Sequence, residues 1–276
     1  MNPVFKSRFA STLVYVAAVV IILGFMLPLV WTFMTSLKDN VDSWSLPPQY
    51  FFTPKFDNYK AVILEKHFLD YAVNSGIVAV CSTIISLILG TLTAYGLDRY
   101  AFKGSNLVFF FFFWVYMVPA TIIALPLFLV AVELGLVDTH IMLIIAHSTF
   151  NTAFATWMMK GFLQEVPREI EESAMIDGTS PLGSLFHITI PVVAPGLAVT
   201  SLFCFMYSWN DFPFALVLSQ FKTKTLPIAV GTLETPFGTA WGEIAATIFV
   251  GVIPIFIFAL LVQKWMIRGL SFGAIK

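Results

Sequence analysis

The stretch QEVPREIEESAMIDGTSPLGSLFHITIP, residues 164–191, is a long polar interval between two apolar segments. Val166-Pro167 predicts a helix start, because proline lacks only a donor that the first helical turn leaves unpaired in any case. Acidic residues follow at once, where the positive end of the helix dipole stabilises them. These acids are Glu169, Glu171 and Glu172. The first half of the stretch therefore predicts a short helix.

The second half repeats these signals after a glycine. Asp177-Gly178 predicts the end of the first helix, since glycine accepts the left-handed backbone of a C-terminal cap. Ser180-Pro181 then begins a second short helix, which runs until Ile190-Pro191 leads into the next apolar segment. Two short helices joined at a glycine form a compact unit that can project from a bilayer. We call residues 165–191 the knob.

The spacing within the knob is specific. Glu172-Ser173-Ala174 is followed after three residues by Gly178, and after nine more by Ile188-Thr189-Ile190-Pro191. This arrangement resembles the EAA loop of the integral-membrane subunits of ABC importers, whose pattern is E-A-A, three residues, G, nine residues, I-x-L-P. Serine replaces the first alanine here, and isoleucine replaces the leucine. The alternative from the pattern alone is an ordinary amphipathic loop between two membrane helices.

The resemblance implies that the knob docks on a soluble ATPase and passes the motion of that partner to the membrane helices. Small side chains at Ser173 and Ala174 let a helix lie deep in a groove, and Glu172 can pair with a basic group there. Gly178 lets the second helix turn back toward the membrane at little steric cost. The implied ATPase-coupling residues are Glu171, Glu172, Ser173, Ala174, Asp177 and Gly178.

Composition indicates an integral membrane protein. Of the 276 residues, 58% are hydrophobic and 11% are charged, and the mean hydropathy is +0.87. A soluble domain carries about 25% charged residues. The net charge of −1 says nothing about nucleic acid, and the sequence has no basic stripe to suggest such a partner. Cys81 and Cys204 lie in apolar runs, and two thiols alone make no zinc site, so we expect neither a metal site nor a disulfide.

Apolar runs long enough to cross a bilayer, which takes about 20 residues, predict an all-α, polytopic membrane protein with six transmembrane helices in a single domain, 1–276. A signal peptide is the alternative for the first run, but the run is long enough to span and no small-x-small cleavage site closes it. Pro119, Pro126, Pro195 and Pro213 predict helix kinks. The predicted spans are 13–34, 71–97, 107–132, 141–159, 192–218 and 244–267, with a coupling loop at 162–191.

The distribution of basic residues predicts the orientation. Six spans place both termini on one side, together with the knob and the loop that carries Arg99 and Lys103. The opposite side holds lysines only within longer, acid-balanced loops, and the short loop 133–140 has none. By the positive-inside rule, both termini and the knob face the cytoplasm. With the resemblance, this implies a multi-pass protein in the lipid bilayer of a bacterial or archaeal cytoplasmic membrane.

Other segments extend the resemblance over nearly the whole chain. They are 35–38, 56–59, 74–75, 94–99, 102–104, 117–119, 134–136 and 209–212. The last residues, 269–276, resemble the tail of the maltose-type carbohydrate permeases, in the group related to the smaller maltose permease. The resemblance implies a carbohydrate importer that contains a second permease, two copies of an ABC ATPase and an extracytoplasmic solute-binding protein. No cofactor is implied for this chain, since ATP and Mg²⁺ bind the ATPase.

Polar residues at membrane depth are costly and therefore mark candidate solute pathways. Trp209 beside Asn210 offers a sugar a stacking face and an amide, and Asp211 is the only acid within a predicted span. Each polar residue can instead bond a neighbouring helix. The predicted pathway residues are Asn74, Tyr116, Asn151, Trp209, Asn210 and Asp211.

Two other classes of function are alternatives. A carrier driven by protons or sodium would place ionisable groups at mid-depth in repeated halves, but only Asp211 qualifies and no internal repeat is evident. An intramembrane enzyme would need a motif such as H-E-x-x-H, which the sequence lacks; G-x-S-x-G occurs at 269–273, beyond the last predicted span. The sequence also has no G-x-x-x-x-G-K-[ST] phosphate loop, so ATP hydrolysis is expected of a partner subunit and no catalytic residue is predicted.

Overall fold

The computed structural model describes residues 3–66, 68–100, 102–235 and 238–272, most of which are helical. The helices are α1 (Pro3–Ser36), α2 (Asn40–Ser43), α3 (Asp57–Lys60), α4 (Phe68–Arg99), α5 (Ser105–Met117), α6 (Ala120–Glu133), α7 (His140–Gln164), α8 (Arg168–Ile176), α9 (Pro181–Ser184), α10 (Ile190–Val192), α11 (Ala194–Trp209), α12 (Pro213–Leu218), α13 (Leu226–Gly231) and α14 (Trp241–Phe272). π-Helical turns follow α3 at Ala61–Glu65 and α9 at Leu185–Thr189. A short antiparallel hairpin pairs β1 (Glu234–Thr235) with β2 (Gly238–Thr239).

Within the described part of the chain, four helices are long and apolar enough to cross a membrane without interruption. Their candidate spans are Ser11–Ser36, Phe68–Arg99, His140–Gln164 and Trp241–Trp265. They correspond to the first, second, fourth and sixth predicted spans, and they confirm an all-α polytopic membrane protein. The predicted tail continues α14 to Phe272, and its last four residues lie outside the described part of the chain.

The third predicted span, 107–132, is not one continuous helix. It consists of α5 and α6, which meet at an angle of 93°. Proline restricts the preceding residue to extended backbone, and Val118 accordingly adopts a ψ of 128°. The kink predicted at Pro119 is therefore confirmed, and the third span is a pair of helices broken at this point. Pro126 lies within α6 and does not end it.

The fifth predicted span, 192–218, is broken as well. α11 meets the preceding helical segment of the knob at 80°, next to Pro195 in its first turn, and ends at Trp209. Residues 210–212 are not helical, and Pro213 then begins α12 in the first-turn position that suits proline. If each bent pair counts as one span, the described chain has up to six spans, in agreement with the predicted number.

The chain falls into two compact units, 1–68 with 232–252 and 69–231 with 253–276. In the first unit, the buried Asn58 amide donates to the backbone oxygens of Ser36 at 2.9 Å and Lys38 at 2.7 Å. The hydroxyl oxygens of Ser36 and Tyr59 are 2.7 Å apart. Hydrogen bonds therefore join the segments 35–38 and 56–59, both of which the sequence singled out.

The second unit contains an apolar core between its helices. Phe150 of α7 and Phe214 of α12 are buried, and their ring centroids are 5.4 Å apart. A separate cluster lies beneath the knob, where Tyr95 of α4, Leu163 of α7 and Leu185 pack together. The knob therefore shares an apolar cluster with two transmembrane helices.

Gly90 of α4 lies where that helix contacts α7. A Cβ added at Gly90 would lie 2.5 Å from Ala155 Cβ and 3.0 Å from the backbone N of Thr156. Small residues permit such a close approach of membrane helices.

We expect Gly90→Ala to destabilise the fold by about 1–3 kcal/mol through overpacking, measured by thermal unfolding in detergent. Gly76→Ala is the control, because its Cβ meets nothing within 4 Å. Equal stability of the two variants would contradict the close contact.

Candidate coupling site and solute pathway

The knob has the predicted form of two short helices joined at a glycine. α8 begins directly after Pro167 and ends with Asp177 as its C-cap. Gly178 has a φ of 92°, its N–H donates to the Met175 oxygen at 3.1 Å, and the Thr179 N–H donates to the Ala174 oxygen at 3.0 Å. This pair of bonds is a Schellman motif, in which a left-handed residue closes the helix. The helix end predicted at Asp177-Gly178 is therefore confirmed.

The second helix of the knob starts where Ser180-Pro181 predicts. The Ser180 hydroxyl accepts a hydrogen bond from the Gly183 N–H at 3.1 Å, and Pro181 occupies the first helical turn. α9 continues through the π-helical turn Leu185–Thr189 into α10. The motif from Ile188 to Pro191 thus lies at the junction between the knob and α11.

Glu171 anchors the knob to α4. The Glu171 Oε1 accepts from Arg99 Nη2 at 2.8 Å, from Arg99 Nε at 2.9 Å and from Thr189 Oγ1 at 2.9 Å. The Glu171 Oε2 accepts from the Tyr95 hydroxyl at 2.9 Å. Only 8% of the Arg99 side chain and 4% of the Glu171 side chain are exposed. The carboxylate therefore joins both halves of the knob to the end of a transmembrane helix.

Arg99 connects this ion pair to α7 as well. Its Nη2 donates to the backbone oxygens of Leu163 at 3.3 Å and Val166 at 3.1 Å, and its Nη1 lies 2.6 Å from Asp98 Oδ2. Burial raises the pKa of the Glu171 carboxyl, but the hydrogen bonds from Arg99, Thr189 and Tyr95 and the charge of Arg99 lower that pKa by more. The net pKa lies below its ordinary value, and Glu171 is held as a carboxylate.

The other predicted coupling residues lie on the outer side of the knob. Glu172, Ser173, Asp177 and Gly178 are exposed, and Ala174 is half-buried. Ile176, which the sequence did not single out, is 86% exposed. Glu171 differs from this set because its side chain faces the interior. The surface available to a partner therefore combines acidic groups, small residues and an uncovered apolar side chain.

Three of the six predicted pathway residues line one cavity. Tyr116, Asn151 and Asn210 surround about 250 Å³, together with Phe154, Phe203, Met206 and Tyr207. Asn151 is almost fully buried, and its Nδ2 donates to the Cys204 oxygen at 3.1 Å and to Ser208 Oγ at 2.9 Å. Asn210 is exposed and its Nδ2 donates to the Met206 oxygen at 2.8 Å. Asn151 therefore lines the cavity and also joins α7 to α11, whereas the Asn210 amide bonds the end of its own helix.

Trp209 and Asp211 do not line this cavity. Trp209 is 5% exposed and stacks on Phe205, with ring centroids 5.6 Å apart. Asp211 is buried, and its Oδ2 accepts from the backbone N–H groups of Phe214 at 3.1 Å and Ala215 at 3.2 Å. The same oxygen lies 3.3 Å from His147 Nε2, at an angle unsuited to a hydrogen bond. Asp211 therefore caps α12, and both residues pack within the chain.

Asn74 is also occupied within the chain. Its Nδ2 donates to the backbone oxygens of Lys222 and Lys224, each at 3.0 Å, and its Oδ1 lies 2.8 Å from His140 Nε2. The neighbouring Ser75 hydroxyl accepts from the Leu226 N–H at 2.8 Å. The start of α4 therefore holds the loop 219–225. This structural role accounts for both Asn74 and Ser75 without any contact to solute.

Asp138 holds the same loop and was not identified from the sequence. Its carboxylate accepts hydrogen bonds of 3.0–3.2 Å from the four backbone N–H groups of residues 220–223, and one of 2.9 Å from the Thr223 hydroxyl. Its φ is 58°, a left-handed conformation that aspartate tolerates better than most residues. The partners lie more than 80 residues away in sequence, so no local pattern could have revealed them.

We expect Asp138→Asn to destabilise the chain by about 1.5–3 kcal/mol, the range for hydrogen bonds to a charged group. Burial raises the pKa of Asp138, but the backbone N–H groups of residues 220–222 and the Thr223 hydroxyl lower that pKa well below its ordinary value of 3.8. The stabilisation is therefore present above about pH 3.8 and is lost as the pH falls through the depressed pKa. Thermal unfolding of both proteins should show a difference at pH 7 that shrinks below pH 3.8. A difference independent of pH would contradict the assignment.

Comparison with known proteins gives consistent matches over the chain. A family model described as binding-protein-dependent transport system inner membrane component matches residues 86–272. The diacetylchitobiose uptake system permease protein DasC of Streptomyces coelicolor is 31% identical over 273 residues, covering 98% of this chain and 99% of that protein. The trehalose transport system permease protein SugB of Mycobacterium tuberculosis is 33% identical over 256 residues, covering 91% of this chain and 92% of that protein.

A solved structure shares the fold. It is a chain of a bacterial ABC transporter involved in the import of the acidic polysaccharide alginate, with a TM-score of 0.71 and 22% sequence identity. The match covers 94% of this chain and 97% of that chain.

Proposed function

The chain belongs to the family of binding-protein-dependent transport system inner membrane components, and on that premise we propose that it is a permease subunit of an ATP-driven carbohydrate importer. It forms the translocation pathway with a second, homologous permease. Two copies of an ABC ATPase bind ATP and Mg²⁺, and an extracytoplasmic binding protein delivers the solute. Both termini and the knob face the cytoplasm. The diacetylchitobiose and trehalose permeases among the relatives support the carbohydrate class.

The observation that carries the proposal is the construction of the knob. Its inner side is fixed to α4 and α7 through Glu171 and Arg99, while its outer side presents Ile176, 86% exposed, between acidic and small residues. Exposed apolar surface that extends over several residues marks a protein interface, and the knob also exposes Met175, Leu182 and Phe186. A partner that moves the outer side would therefore move the ends of two transmembrane helices.

The alternative of a proton- or sodium-driven carrier finds no support. The family and the relatives are components of binding-protein-dependent or uptake systems. Asp211, on which that alternative rested, caps α12 and lies beside His147. Uptake that persists without the ATPase and collapses with the proton gradient would favour the carrier.

The first test is to isolate the chain from its native membrane and identify the proteins that accompany it by mass spectrometry. A second permease, an ATPase and a solute-binding protein are the expected companions. Recovery of the chain alone, in a gentle detergent that retains the ATPase in known importers, would contradict the proposal. The binding protein can then be tested for the solutes it holds.

Ile176→Ser tests whether the outer side of the knob is the ATPase contact. We expect it to weaken ATPase retention about 30-fold, the effect of truncating a central interface residue worth roughly 2 kcal/mol. The matched control is Phe221→Ser, since Phe221 is 83% exposed in the loop 219–225 on the predicted opposite side. Retention is measured by titrating ATPase onto the purified permease pair. Equal retention in both variants would rule out Ile176 as a contact.

A further inference from the structure

The cavity around Tyr116, Asn151 and Asn210 lies between two helix breaks. Tyr116 precedes the break at Val118-Pro119, Asn210 lies in the break between α11 and α12, and Asn151 is midway along the continuous helix α7. At membrane depth, non-helical backbone is tolerated only where it is buried in protein or lines a water-filled space. Transporters place their solute sites at such interrupted helices near the midplane. The two helix breaks therefore indicate that this cavity of the second unit is a candidate solute site.

The chemistry of the lining suits a hydroxylated ring. The Tyr116 and Phe154 ring centroids are 5.5 Å apart, and those of Phe154 and Phe203 are 5.9 Å apart, which gives a continuous aromatic wall. Among the described residues, the hydroxyls of Tyr116 and Tyr207 have no hydrogen-bond partner in the chain. Asn151 uses its Nδ2 in helix packing and keeps Oδ1 as an acceptor. The wall can stack a ring face while the polar groups bond its hydroxyls.

The lining also selects by charge. None of the seven described residues around the cavity is lysine, arginine, aspartate or glutamate. The nearby Asp211 is committed to α12 and would repel an anion. An ion transferred from water into such surroundings pays a large desolvation cost without a counter-charge. The cavity thus disfavours phosphorylated, sulfonated or uronic acid solutes, although one relative of this fold serves an acidic polysaccharide.

We propose that this cavity is a solute subsite that takes one ring of an uncharged carbohydrate. The proposal rests on the importer function and narrows its substrate class. Pockets that enclose a whole small ligand measure about 300–1,000 Å³, so a cavity of about 250 Å³ accommodates one ring, and the remainder of the solute lies against the second permease. Tyr116, Tyr207 and Asn210 bond the ring hydroxyls.

The test uses the complete importer in proteoliposomes, with its second permease, ATPase and binding protein. The probes are radiolabelled trehalose, maltose and N,N′-diacetylchitobiose as neutral solutes and sn-glycerol 3-phosphate as an anion. The measured quantity is solute imported per ATP hydrolysed, because the binding protein sets the affinity for solute before the permease is reached. We expect import of a neutral probe only, and a ratio lowered about 3- to 10-fold by Asn210→Ala or by Tyr116→Phe with Tyr207→Phe.

The control is Tyr15→Phe, which removes an equivalent hydroxyl from α1, where Tyr15 is 73% exposed. ATP hydrolysis stimulated by the binding protein should be unchanged in every variant, which separates a lost solute contact from a damaged fold. Asn210→Asp and Asn210→Lys should both lower the ratio for a neutral probe. Import of sn-glycerol 3-phosphate by the native importer would overturn the proposal, as would wild-type ratios in all cavity variants. Wild-type ATP hydrolysis insensitive to the binding protein would overturn the importer function itself.

Discussion

Arg99→Met should lower the stability of the folded chain by about 3–5 kcal/mol, because it leaves the Glu171 carboxylate buried without its cation. In the native chain, two nitrogens of Arg99 converge on Glu171 Oε1 at 2.8 and 2.9 Å. Methionine retains an unbranched stem, so loss of packing contributes little. Thermal unfolding of the purified importer gives the change in stability, and protease cleavage within the knob reports its release from α4.

The double variant Arg99→Met with Glu171→Met separates charge from shape. Replacing both members of a buried ion pair by apolar residues is often close to neutral, so most of the lost stability should return. A double variant as unstable as Arg99→Met would show that hydrogen bonds to Tyr95 and Thr189, rather than charge balance, dominate.

The pH dependence of this ion pair has a defined sign. The folded pKa of Glu171 lies below its ordinary value of 4.5. The stabilisation is therefore fully present above about pH 4.5 and disappears as the pH falls through the lowered pKa. The stability difference between the native protein and the double variant should change only below pH 4.5.

Gly178→Val should abolish solute import while leaving the chain in the membrane. A left-handed backbone costs a residue other than glycine about 1–2 kcal/mol, and β-branched valine tolerates it least. A Cβ at Gly178 would meet nothing within 4 Å in this chain, so a clash within the chain cannot explain the loss of import. The two remaining causes are strain in the backbone and a clash with the ATPase. Gly178→Asn distinguishes them, since asparagine tolerates the left-handed region. Solute import by Gly178→Asn would show that Gly178→Val fails because valine disfavours the left-handed backbone at this position.

Gly135→Val is the matched control for this experiment. Gly135 ends α6 in the same motif, with a φ of 65°, a bond from its N–H to the Val132 oxygen and one from the Leu136 N–H to the Ala131 oxygen. Its Cβ would also meet nothing within 4 Å. The control should show the same loss of stability and retain coupled ATP hydrolysis. Loss of coupling in both variants would mean that general destabilisation, not the knob, explains the result.

Features that depend on neighbouring residues could be predicted from the sequence. Gly178, Ser180 and Pro181 set their own turns and caps through backbone preferences, so the knob was predicted with nearly the observed bounds. The breaks at 118–119 and 210–212 were only partly predicted. Prolines indicated kinks, but hydropathy measures side chains and does not register whether the backbone between them is continuous.

Features that depend on distant partners could not be predicted. The inward orientation of Glu171 depends on Arg99, 72 residues earlier, because the acids 169, 171 and 172 are equivalent in the local pattern. Asn74 likewise bonds carbonyls of Lys222 and Lys224, about 150 residues away. An amide in an apolar segment is compatible with solute binding or with a bond inside the protein, and only the tertiary structure showed that Asn74 holds the loop 219–225.

The separation of 72 residues between Arg99 and Glu171 has a consequence for biosynthesis. At about 5–20 residues per second, roughly 4–14 s pass between the emergence of the arginine and that of its carboxylate. During this interval the guanidinium must remain at the bilayer surface without Glu171. Asp98, its immediate predecessor, lies 2.6 Å from Arg99 Nη1 in the finished protein and is present from the start. We therefore expect Asp98 to act as the counter-ion of Arg99 during insertion, before the knob exists.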